Sequence, residues 1–436
     1  MSSEALAHAV IAKLRSAGHQ AYLVGGCVRD LLLGVTPKDF DVATDARPDR
    51  ILDLFPRSGQ VGAHFGVVLV RDVFSQVEVA TFRSDREYTD GRHPAAVHFE
   101  SDPREDVLRR DFTINGLLMD PDNGQVLDFV GGCADLERRA VRAIGDPGTR
   151  FAEDHLRLLR AIRFAARLGF AIEPDTFDAI RRLRALILKV SAERIRDELV
   201  RILTEGGARR GFELLDESGM LAGILPEVAA MKGVAQPPEY HPEGDVWVHT
   251  LLLLEKLDHP TPTLALGALL HDVGKPPAFR VAERIRFDGH VEEGVRLAHG
   301  ILNRLRFSRD DMERVEALVA NHMRFKDVRQ MRVSTLKRFL RLPDFEEHLE
   351  LHRLDSLSSN GRLENYALAK RKLEEYSAEF LRPARLLTGA DLIAEGYEPG
   401  PLFSEILRAV EDAQLEGRIR TSGEAIEMVR AEFPLT

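Results

Sequence analysis

The stretch Leu23–Ala43, LVGGCVRDLLLGVTPKDFDVA, decides the fold of the N-terminal part of this 436-residue chain. Its pattern predicts a strand, a Gly-Gly turn, a short helix and a second strand that carries Asp39 and Asp41. Side chains two positions apart on a strand point to the same face, so the two carboxylates are expected side by side. Adjacent carboxylates repel each other unless a divalent cation lies between them. The spacing therefore predicts a metal site.

The turn before this helix adds a second feature. Gly25 and Gly26 let backbone N–H groups approach an anion closely, and Arg29 adds a fixed positive charge in the first helical turn. A lone DxD is common on protein surfaces, and a lone GG before a helix is less specific still. Their combination within one strand-turn-helix-strand unit is much more specific and predicts a metal-nucleotide site.

GG followed by DxD resembles the nucleotidyltransferase superfamily with a polymerase-β-like palm. The longer match GGCVRDLLLG…KDFDVAT is similar to its bacterial CCA-adding enzyme and poly(A) polymerase branch. The resemblance covers essentially the whole chain and is most specific at residues 23–43, 109–116 and 153–164. It implies an α+β fold, in which a palm with a mixed sheet and helices is followed by all-α neck, body and HD domains.

A chain of this length is too long for one core, so two to four domains are expected. The predicted boundaries are 1–130 for the palm, 131–235 for a helical neck and body that bind the base and tRNA, 236–360 for an HD domain, and 361–436 for a helical C-terminal region. No apolar run approaches the roughly 20 residues of a membrane span, and no signal-like segment opens the chain. A cytoplasmic protein is expected.

The net charge of −10 argues against a protein that coats nucleic acid indiscriminately. Residues 151–210 nevertheless contain 13 Lys and Arg against 9 Asp and Glu. A basic middle in an acidic chain suggests a confined track for a polyanion. The two cysteines, Cys27 and Cys133, form neither a disulfide framework nor a zinc pattern.

The segment QVEVATFR alternates as a strand, which places Glu78 on one face with Gln76 and Ala80. Glu78 is therefore a candidate third carboxylate for the metal site. A solvent-facing strand glutamate is the alternative, and both interpretations stay open. The polar residues 83–108 that follow lack periodicity and are predicted to form a loop, which the resemblance implies takes part in switching from C to A addition.

In RRDFTINGLLMD, residues 109–120, Arg110 is a candidate to hold a triphosphate and Asp111 to accept a hydrogen bond from a ribose hydroxyl. An N-terminal helix cap with charged neighbours is the alternative. The segment is similar to the family's RRDFT(I/V)NA motif, with Gly116 in place of alanine. DFVGGCADL then resembles the family's hinge between palm and neck.

The residues from Ala152, AEDHLRLLRAIRFAARLGF, are predicted to form one helix on which Asp154, Arg157, Arg160 and Arg163 fan out along one side. A solvated ion-pair face is the alternative. An aspartate accepts from the exocyclic amine of C or A and an arginine donates to the ring nitrogen or carbonyl, whereas U and G clash with that pair. Glu153–Arg157 matches the EDxxR motif of class II CCA-adding enzymes.

Other arginines of this region have expected roles as well. The resemblance implies that Arg160 and Arg163 contact the nucleotide. Arg194 and Arg196, in ERIRDELVRIL, are candidates to meet tRNA phosphates.

A second set of chemical groups begins beyond Glu239. His249, His271, Asp272 and Asp355 offer two imidazoles and two carboxylates, which suit a divalent transition metal such as Ni, Mn or Zn. The order H…HD…D resembles the HD phosphohydrolase superfamily. His290, His299 and His322 are candidate second-metal or phosphate ligands. Whether this domain hydrolyses a substrate or mainly supports tRNA binding stays open.

The expected reaction is template-independent transfer of CMP and AMP from CTP and ATP to the 3′ end of tRNA, with release of pyrophosphate. Asp39 and Asp41 would hold two Mg²⁺ ions. Three alternatives remain: a narrower activity (CC-only, A-only or poly(A) addition), an HD-type phosphohydrolase acting on RNA ends, and an RNA-binding protein without catalysis. The 83–108 segment disfavours CC-only addition.

Overall fold

The computed structural model describes residues 2–60, 66–88, 91, 94–376 and 381–435. The chain divides into two compact units, Met1–Ala229 and Ala230–Thr436. The boundary between them falls near the predicted end of the helical body at residue 235. The finer predicted boundaries at 130 and 360 stay predictions.

A mixed seven-stranded sheet forms the centre of the first unit, in the order β3-β4-β5-β2-β1-β8-β9. Strands β1 and β2 are short and apolar, as the decisive stretch predicts, and they pair antiparallel. Strand β2 pairs parallel with β5, and β5 pairs antiparallel with β4. The strands are β1 (Ala21–Val24), β2 (Asp41–Thr44), β3 (Gly59–Gln60), β4 (Val67–Arg71), β5 (Gln76–Thr81), β6 (Arg83–Tyr88), β7 (Pro94–Phe99), β8 (Leu117–Met119), β9 (Val126–Asp128), β10 (Ala140–Val141) and β11 (Ala171–Ile172).

Helices of the first unit follow the apolar spacing of the sequence. In the N-terminal helix Leu6, Val10 and Leu14 recur at helical spacing and are all buried. The helices are α1 (Ser3–Ser16), α2 (Gly26–Leu32), α3 (Pro48–Leu54), α4 (Pro103–Leu108), α5 (Gly132–Glu137), α6 (Pro147–Glu153), α7 (Arg157–Leu168), α8 (Pro174–Leu183), α9 (Ala192–Thr204), α10 (Ala208–Glu217), α11 (Leu221–Ile224) and α12 (Pro226–Ala229), with 3₁₀ turns at Thr113–Asn115 and Arg184–Lys189.

The segment predicted as a loop, residues 83–108, is ordered in its described part. Strands β6 and β7 pair antiparallel, and α4 follows them. The loop prediction is wrong for these elements, because backbone hydrogen bonds build a ladder without any side-chain periodicity. Residues 89, 90, 92 and 93 of the segment lie outside the described residues.

The predicted continuous helix from Ala152 is interrupted. Helix α6 ends at Glu153, Asp154 has an extended backbone (φ −137°, ψ 106°), and α7 begins at Arg157. The Asp154 carboxylate accepts a hydrogen bond from the backbone N–H of Leu156 at 3.1 Å. Short polar side chains compete with helical hydrogen bonds in this way, which explains the break.

The predicted hinge is held in place by hydrogen bonds. The Asp128 carboxylate accepts from the backbone N–H groups of Val130, Gly131, Gly132 and Cys133 at 2.8–3.1 Å. Gly131 adopts a left-handed conformation (φ +80°) that a glycine tolerates best. Gly131 and Gly132 therefore form a turn before α5 that hydrogen bonds hold in one conformation in this structure.

The second unit is helical apart from one small hairpin. Helix α14 is apolar all round and buried along its length. Its helices are α13 (Val246–Glu255), α14 (Pro262–Leu270), α15 (Lys275–Ala278), α16 (His290–Arg304), α17 (Arg309–Asn321), α18 (Val333–Leu340), α19 (Phe345–Ser358), α20 (Glu364–Glu375), α21 (Gly389–Ala394), α22 (Pro401–Leu415) and α23 (Ser422–Glu432), with a 3₁₀ turn at His322–Asp327 and strands β12 (Arg280–Val281) and β13 (Ile285–Arg286).

The expected α+β class, a mixed sheet followed by helices, is confirmed. Among the described residues, no helix combines the length and the apolar character needed to cross a membrane.

Candidate functional site

Three acidic residues lie on or just before two neighbouring interior strands of the palm sheet. Asp41 is the first residue of β2, and its Cα is in register with that of Glu78 on the parallel neighbour β5. Asp39 lies before the strand begins, so only Asp41 has the strand geometry that the DxD spacing predicts. The two exposed groups, Asp39 and Glu78, flank a carboxylate that is partly buried.

Asp41 has an unusual protonation equilibrium. Burial raises the pKa of its carboxyl, and the negative charges of Glu78 and Asp39 add to that effect, while Arg110 opposes it; the result is a pKa of about 6. A cluster of this kind gains from a divalent cation, which removes the repulsion that disfavours ionisation. The charges of these residues are coupled, and their carboxylate oxygens suit a hard metal ion, but the three groups are not within 4.8 Å of one another as the ligand groups of the second unit are.

Arg110 is positioned by a residue that the sequence analysis missed. The buried carboxylate of Asp106 accepts hydrogen bonds from Arg110 at 2.8 and 3.2 Å and from Arg109 at 2.6 and 2.9 Å. The i, i+3 and i, i+4 spacing of these residues was the available signal. A Cβ on Gly25, whose φ is +77°, would lie 3.3 Å from an Arg110 guanidinium nitrogen, so the guanidinium packs against this turn.

Arg29 is buried, with 2% of its surface exposed. Its guanidinium donates to Asp30 at 2.8 Å and to the side-chain oxygen of Asn115 at 2.6 Å. Burial lowers the pKa of Arg29, and Asp30 opposes this. The predicted phosphate contact of Arg29 stays a prediction, because the structure shows this side chain joining α2 to the 3₁₀ turn that contains Asn115.

Asp111 connects the palm to the neck helix α7. One carboxylate oxygen accepts two hydrogen bonds from Arg160, and the other accepts from the backbone N–H of Phe112 and the amide of Asn115. Burial favours the neutral acid, but Arg160 and these donors lower the pKa of Asp111 to about 2. A carboxylate has about four acceptor positions, so a ribose hydroxyl would have to displace a present partner.

Asp154 and Arg157, the two residues expected to read the base, each have protein partners in this structure. Arg157 donates to Glu153 at 2.6 Å and to the backbone carbonyls of Arg150 and Arg109 at 2.9 Å. Asp154 instead accepts from Arg194 at 3.1 and 3.3 Å. Arg194, expected to meet tRNA phosphates, therefore holds the carboxylate that is expected to select the base.

The remaining arginines of this region also have protein partners. Arg163 is buried and pairs with Glu198 at 2.7 Å and Glu205 at 3.2 Å. Arg196 pairs with its neighbour Asp197 at 2.8 Å. The ring of Phe164 has the guanidinium groups of Arg29, Arg160 and Arg163 at 5.4, 5.3 and 4.3 Å from its centroid. The ring and these cations lie at the junction of palm and neck.

The hairpin β6–β7 contacts the same segment. Gly91, between the two strands, accepts a hydrogen bond from the backbone N–H of His155 at 3.1 Å. A Cβ on Gly91 (φ +71°) would lie 2.2 Å from the His155 ring. Only glycine fits there, and the contact places Gly91 beside His155, the residue that follows Asp154.

In the second unit, the histidines and aspartates of the HD pattern come together. His249 Nε2 lies 3.0 Å from Asp355 Oδ1, and His271 Nε2 lies 3.2 Å from Asp272 Oδ2. His249, His271 and Asp355 form one group whose ligand atoms lie within 4.8 Å of one another, and Asp272, His290 and His322 form another. The structure thus assembles all four predicted HD residues and two of the three additional histidines.

His299, the third additional histidine, is not part of this cluster. Its ring is exposed and hydrogen-bonds Glu316 at 2.9 Å. The prediction that His299 is a second-metal or phosphate ligand is therefore wrong, because it faces solvent on α16 whereas His290 begins that helix.

The hydrogen bonds of three histidines direct the Nε2 atom of each ring into the cluster, where it could bind a metal ion. Nδ1 of His271, His290 and His322 lies 2.7–2.9 Å from a backbone carbonyl three residues earlier, a contact that places the proton on Nδ1. Each then directs a lone pair from Nε2, and these three buried Nε2 atoms have no hydrogen-bond partner among the described residues. Buried unpaired nitrogens are costly unless an ion is bound.

The histidines and carboxylates of this cluster have pKa values that are shifted in different directions. Burial lowers the pKa of His322 to about 4. Burial opposes ionisation of His249, but Asp355 and Glu243 raise its pKa to about 9. Burial also opposes ionisation of Asp272, yet His271 and Lys275 hold its pKa well below the usual range.

Lys275 is a further member that the sequence analysis missed. Its buried ammonium group lies 2.7 Å from Asp272 and donates to the Gln236 side chain at 2.6 Å. The i, i+3 spacing within HDVGK was the signal. Beside the cluster, a cavity of about 560 Å³ is lined by Lys326, Arg329 and Arg362 as well as by His322 and Asp355.

Three family models match the chain. They are described as the poly A polymerase head domain (residues 21–142), a probable RNA and SrmB-binding site of polymerase A (residues 169–232), and the HD domain (residues 246–394). The first covers the palm, and the last covers the histidine cluster.

The chain is also similar to CCA-adding enzymes. That of Levilactobacillus brevis is 44% identical over 215 residues, which are 49% of this chain and 54% of the relative. That of Bacillus subtilis is 43% identical over 206 residues, 47% of this chain and 52% of the relative. The chain thus matches about half the length of these curated relatives. The crystal structure of the Bacillus stearothermophilus CCA-adding enzyme in complex with CTP superposes with a TM-score of 0.77 at 26% identity, covering 99% of both chains.

Proposed function

We infer that the chain belongs to the family of CCA-adding enzymes and poly(A) polymerases, and we propose that it adds C and A to the 3′ end of tRNA. CTP and ATP are the proposed substrates, and pyrophosphate is the proposed leaving group. One observation carries the proposal. Asp41, Glu78 and Asp39 form an acidic cluster in which Asp41 has its pKa raised to about 6, and such a cluster is suited to Mg²⁺.

In this mechanism Asp39 and Asp41 would hold Mg²⁺, with Glu78 as the proposed third carboxylate. The bound metal would lower the pKa of the attacking 3′-hydroxyl and neutralise charge on the triphosphate. Arg110, fixed by Asp106 beside Gly25, is the proposed phosphate-binding residue. Gly25, Gly26 and Arg29 are further proposed nucleotide-binding residues.

Base selection is assigned to Asp154 and Arg157. Each is already bonded, Asp154 to Arg194 and Arg157 to Glu153. To bind these side chains, an incoming base must therefore replace the hydrogen bonds that they make to Arg194 and Glu153. A wrong base leaves buried charged groups unpaired, which costs on the order of a few kcal/mol and is enough for discrimination. Asp111, Arg160 and Arg163 keep their predicted nucleotide contacts as part of the proposal.

The test is a gel assay on three substrates. The protein is incubated with tRNA lacking CCA, tRNA ending in C and tRNA ending in CC, with CTP, ATP, both or UTP, in the presence of Mg²⁺. Full CCA addition extends all three, and only with the matching nucleotides. Extension of the CC-ending tRNA alone indicates A-only addition, and long A tails indicate poly(A) synthesis. No extension and no pyrophosphate release contradicts the proposal.

A second proposal concerns the HD cluster. We propose that His249, His271, Asp272 and Asp355 bind a divalent transition metal, Ni, Mn or Zn, and that His290 and His322 complete a second set with Asp272. The unpaired Nε2 atoms of the buried imidazoles support this. Metal analysis of the purified protein tests it, and a protein that binds none of these ions would contradict it. Cytoplasmic location stays a prediction.

A further inference from the structure

Glu243 lies in the segment before α13 and has two imidazoles as neighbours. Its side chain is 5% exposed, and one carboxylate oxygen, Oε1, lies 2.8 Å from Nδ1 of His241 and 2.7 Å from Nδ1 of His249. His249 itself has no exposed surface. Its opposite nitrogen, Nε2, faces Asp355 and belongs to the group formed with His271. The ring of His249 thus lies between an acidic neighbour and the proposed metal site.

The other three histidines of the cluster have a different arrangement. His271 and His322 follow the ends of α14 and α17, and His290 begins α16. Backbone carbonyls are available at such positions, and each Nδ1 contacts the carbonyl three residues before it.

His249 lies inside α13, where this solution is not open. The carbonyl three residues earlier belongs to Val246, and the Thr250 hydroxyl donates to it at 2.9 Å. The carbonyl of Asp245 already accepts from the backbone N–H of His249 at 2.9 Å. Carbonyls within a helix are used by the helix itself. His249 Nδ1 makes no hydrogen bond of good geometry to the described residues, and Glu243 Oε1, at 2.7 Å, is the acceptor that lies beside it.

We propose that Glu243 is a positioning residue that accepts the Nδ1 proton of His249 and so leaves the Nε2 lone pair for the metal. A neutral imidazole has one N–H and one lone pair, and the acceptor on one nitrogen decides which nitrogen can bind an ion. A carboxylate acceptor also makes the ligand more basic than a carbonyl does. The inference rests on the proposed HD metal site. It adds Glu243 to the four residues His249, His271, Asp272 and Asp355 proposed for that site.

A competing assignment uses the same atoms. The ligand atoms of His241, Glu243 and His249 lie within 4.8 Å of one another, so an ion bound among them would make Glu243 a ligand. The two assignments differ in the number of ions. A positioning residue changes affinity without changing that number, whereas a ligand of a separate ion removes one equivalent when it is replaced.

The experiment measures Zn²⁺ binding to the full chain by competition with a chromophoric chelator, and bound metal by mass spectrometry. E243Q is expected to bind Zn²⁺ about 10- to 100-fold more weakly at unchanged stoichiometry, and its Co²⁺ form is expected to have a shifted visible spectrum. E243D retains a carboxylate and is expected to recover part of the affinity. The matched control is E239Q, since Glu239 is exposed in the same segment.

Three results would overturn the proposal. The first is an unchanged Zn²⁺ affinity in E243Q. The second is loss of one metal equivalent in both E243Q and H241Q, which would make Glu243 a ligand. The third is a wild-type chain that binds no Zn²⁺, Co²⁺, Mn²⁺ or Ni²⁺, which would remove the metal site itself. Nucleotide addition does not report on folding of this unit, because the palm residues lie in the other one. Equal circular dichroism and equal thermal unfolding of metal-free E243Q and metal-free wild type show that the variant is folded.

Discussion

Arg160 donates two hydrogen bonds, at 2.5 and 2.8 Å, to one oxygen of Asp111, a residue 49 positions earlier in the chain. The pair joins the palm to helix α7, and Asp111 is almost fully buried. Since the second oxygen of Asp111 contacts Asn115, which in turn accepts from Arg29, one network extends from α2 to α7. Helix α2, which follows the turn at Gly25, and helix α7 are thus connected through hydrogen bonds.

The lowered pKa of Asp111, about 2, makes this pair a source of stability that depends on pH. The pKa of Asp111 is lower in the folded protein than the value of about 3.9 expected in the unfolded chain. Its ionised carboxylate therefore stabilises the folded protein above pH 4, and this contribution to the free energy of unfolding is lost as the pH falls towards 2. We expect D111N to lower the free energy of unfolding by about 2 kcal/mol near pH 6. The measurement is urea unfolding of the wild type and D111N from pH 3 to pH 7.

The control for that series is D178N, which replaces an exposed carboxylate and should leave stability nearly unchanged. The difference between wild type and D111N should narrow below pH 4. A difference that stays constant over the whole range would show that the ionised form of Asp111 is not the stabilising one.

The raised pKa of Asp41 predicts how metal affinity depends on pH. A protonated carboxylate does not bind Mg²⁺, so affinity should be constant above a pH of about 6 and fall about tenfold per pH unit below it. Mn²⁺ titration monitored by electron paramagnetic resonance, between pH 5 and pH 8, measures this. D41N should lose the binding, whereas D49N, on α3, should retain it. A flat affinity across the range would contradict the assignment.

Substitution of Glu78 distinguishes a metal ligand from a solvent-facing side chain. Because the Glu78 charge raises the Asp41 pKa, E78Q should shift the midpoint of the Mn²⁺ titration to lower pH. If Glu78 also binds the ion, E78Q should lower kcat for nucleotide addition by about 100-fold, the size expected for loss of a group that stabilises charge. Unchanged kcat together with a shifted midpoint would identify Glu78 as a neighbour that does not bind the metal.

Arg194 is predicted to position Asp154. In R194A the Asp154 carboxylate loses its ion pair with Arg194. We expect the KM for CTP and ATP to rise about tenfold, because about 1–2 kcal/mol of nucleotide-binding free energy is lost when Asp154 is no longer held in place. We also expect more incorporation of UTP. R196A is the matched control, because Arg196 lies on the same helix and pairs with Asp197. A rise in the KM for tRNA alone, with strong salt dependence, would instead support the earlier expectation of a phosphate contact.

Metal removal should destabilise the second unit. A ligand that binds only the folded state stabilises it by about 2.7 kcal/mol at a concentration of 100 times Kd. We therefore expect chelator treatment to lower the unfolding temperature, and Zn²⁺ or Mn²⁺ to restore it. H271A, which loses a buried ligand, should not respond to either ion, whereas H299A should behave as the wild type because His299 is exposed. Identical melting with and without metal would contradict the HD assignment.

The local patterns of the sequence were sufficient for the palm elements, for Asp41 on its strand and for the grouping of the HD residues, whereas Asp39 lies before the strand that the DxD spacing predicted for it. Each depends on side chains a few positions apart, and strand or helix geometry makes such neighbours meet. The 83–108 segment could not be predicted in this way, because its hairpin rests on backbone pairing that leaves no period in the side chains. The break at Asp154 was missed because one side-chain hydrogen bond outweighed a helical pattern.

Tertiary structure alone decided which charged group pairs with which. Asp154 and Arg157 are three positions apart and were expected to act together, yet Asp154 pairs with Arg194, 40 positions away. The positions of Glu243 and His249 likewise became meaningful only when the ring nitrogens were placed in space. Sequence spacing determines which side chains share a face of one element. The partner of a buried charge depends on how separate elements pack, because every such charge must find its counterpart once water is excluded.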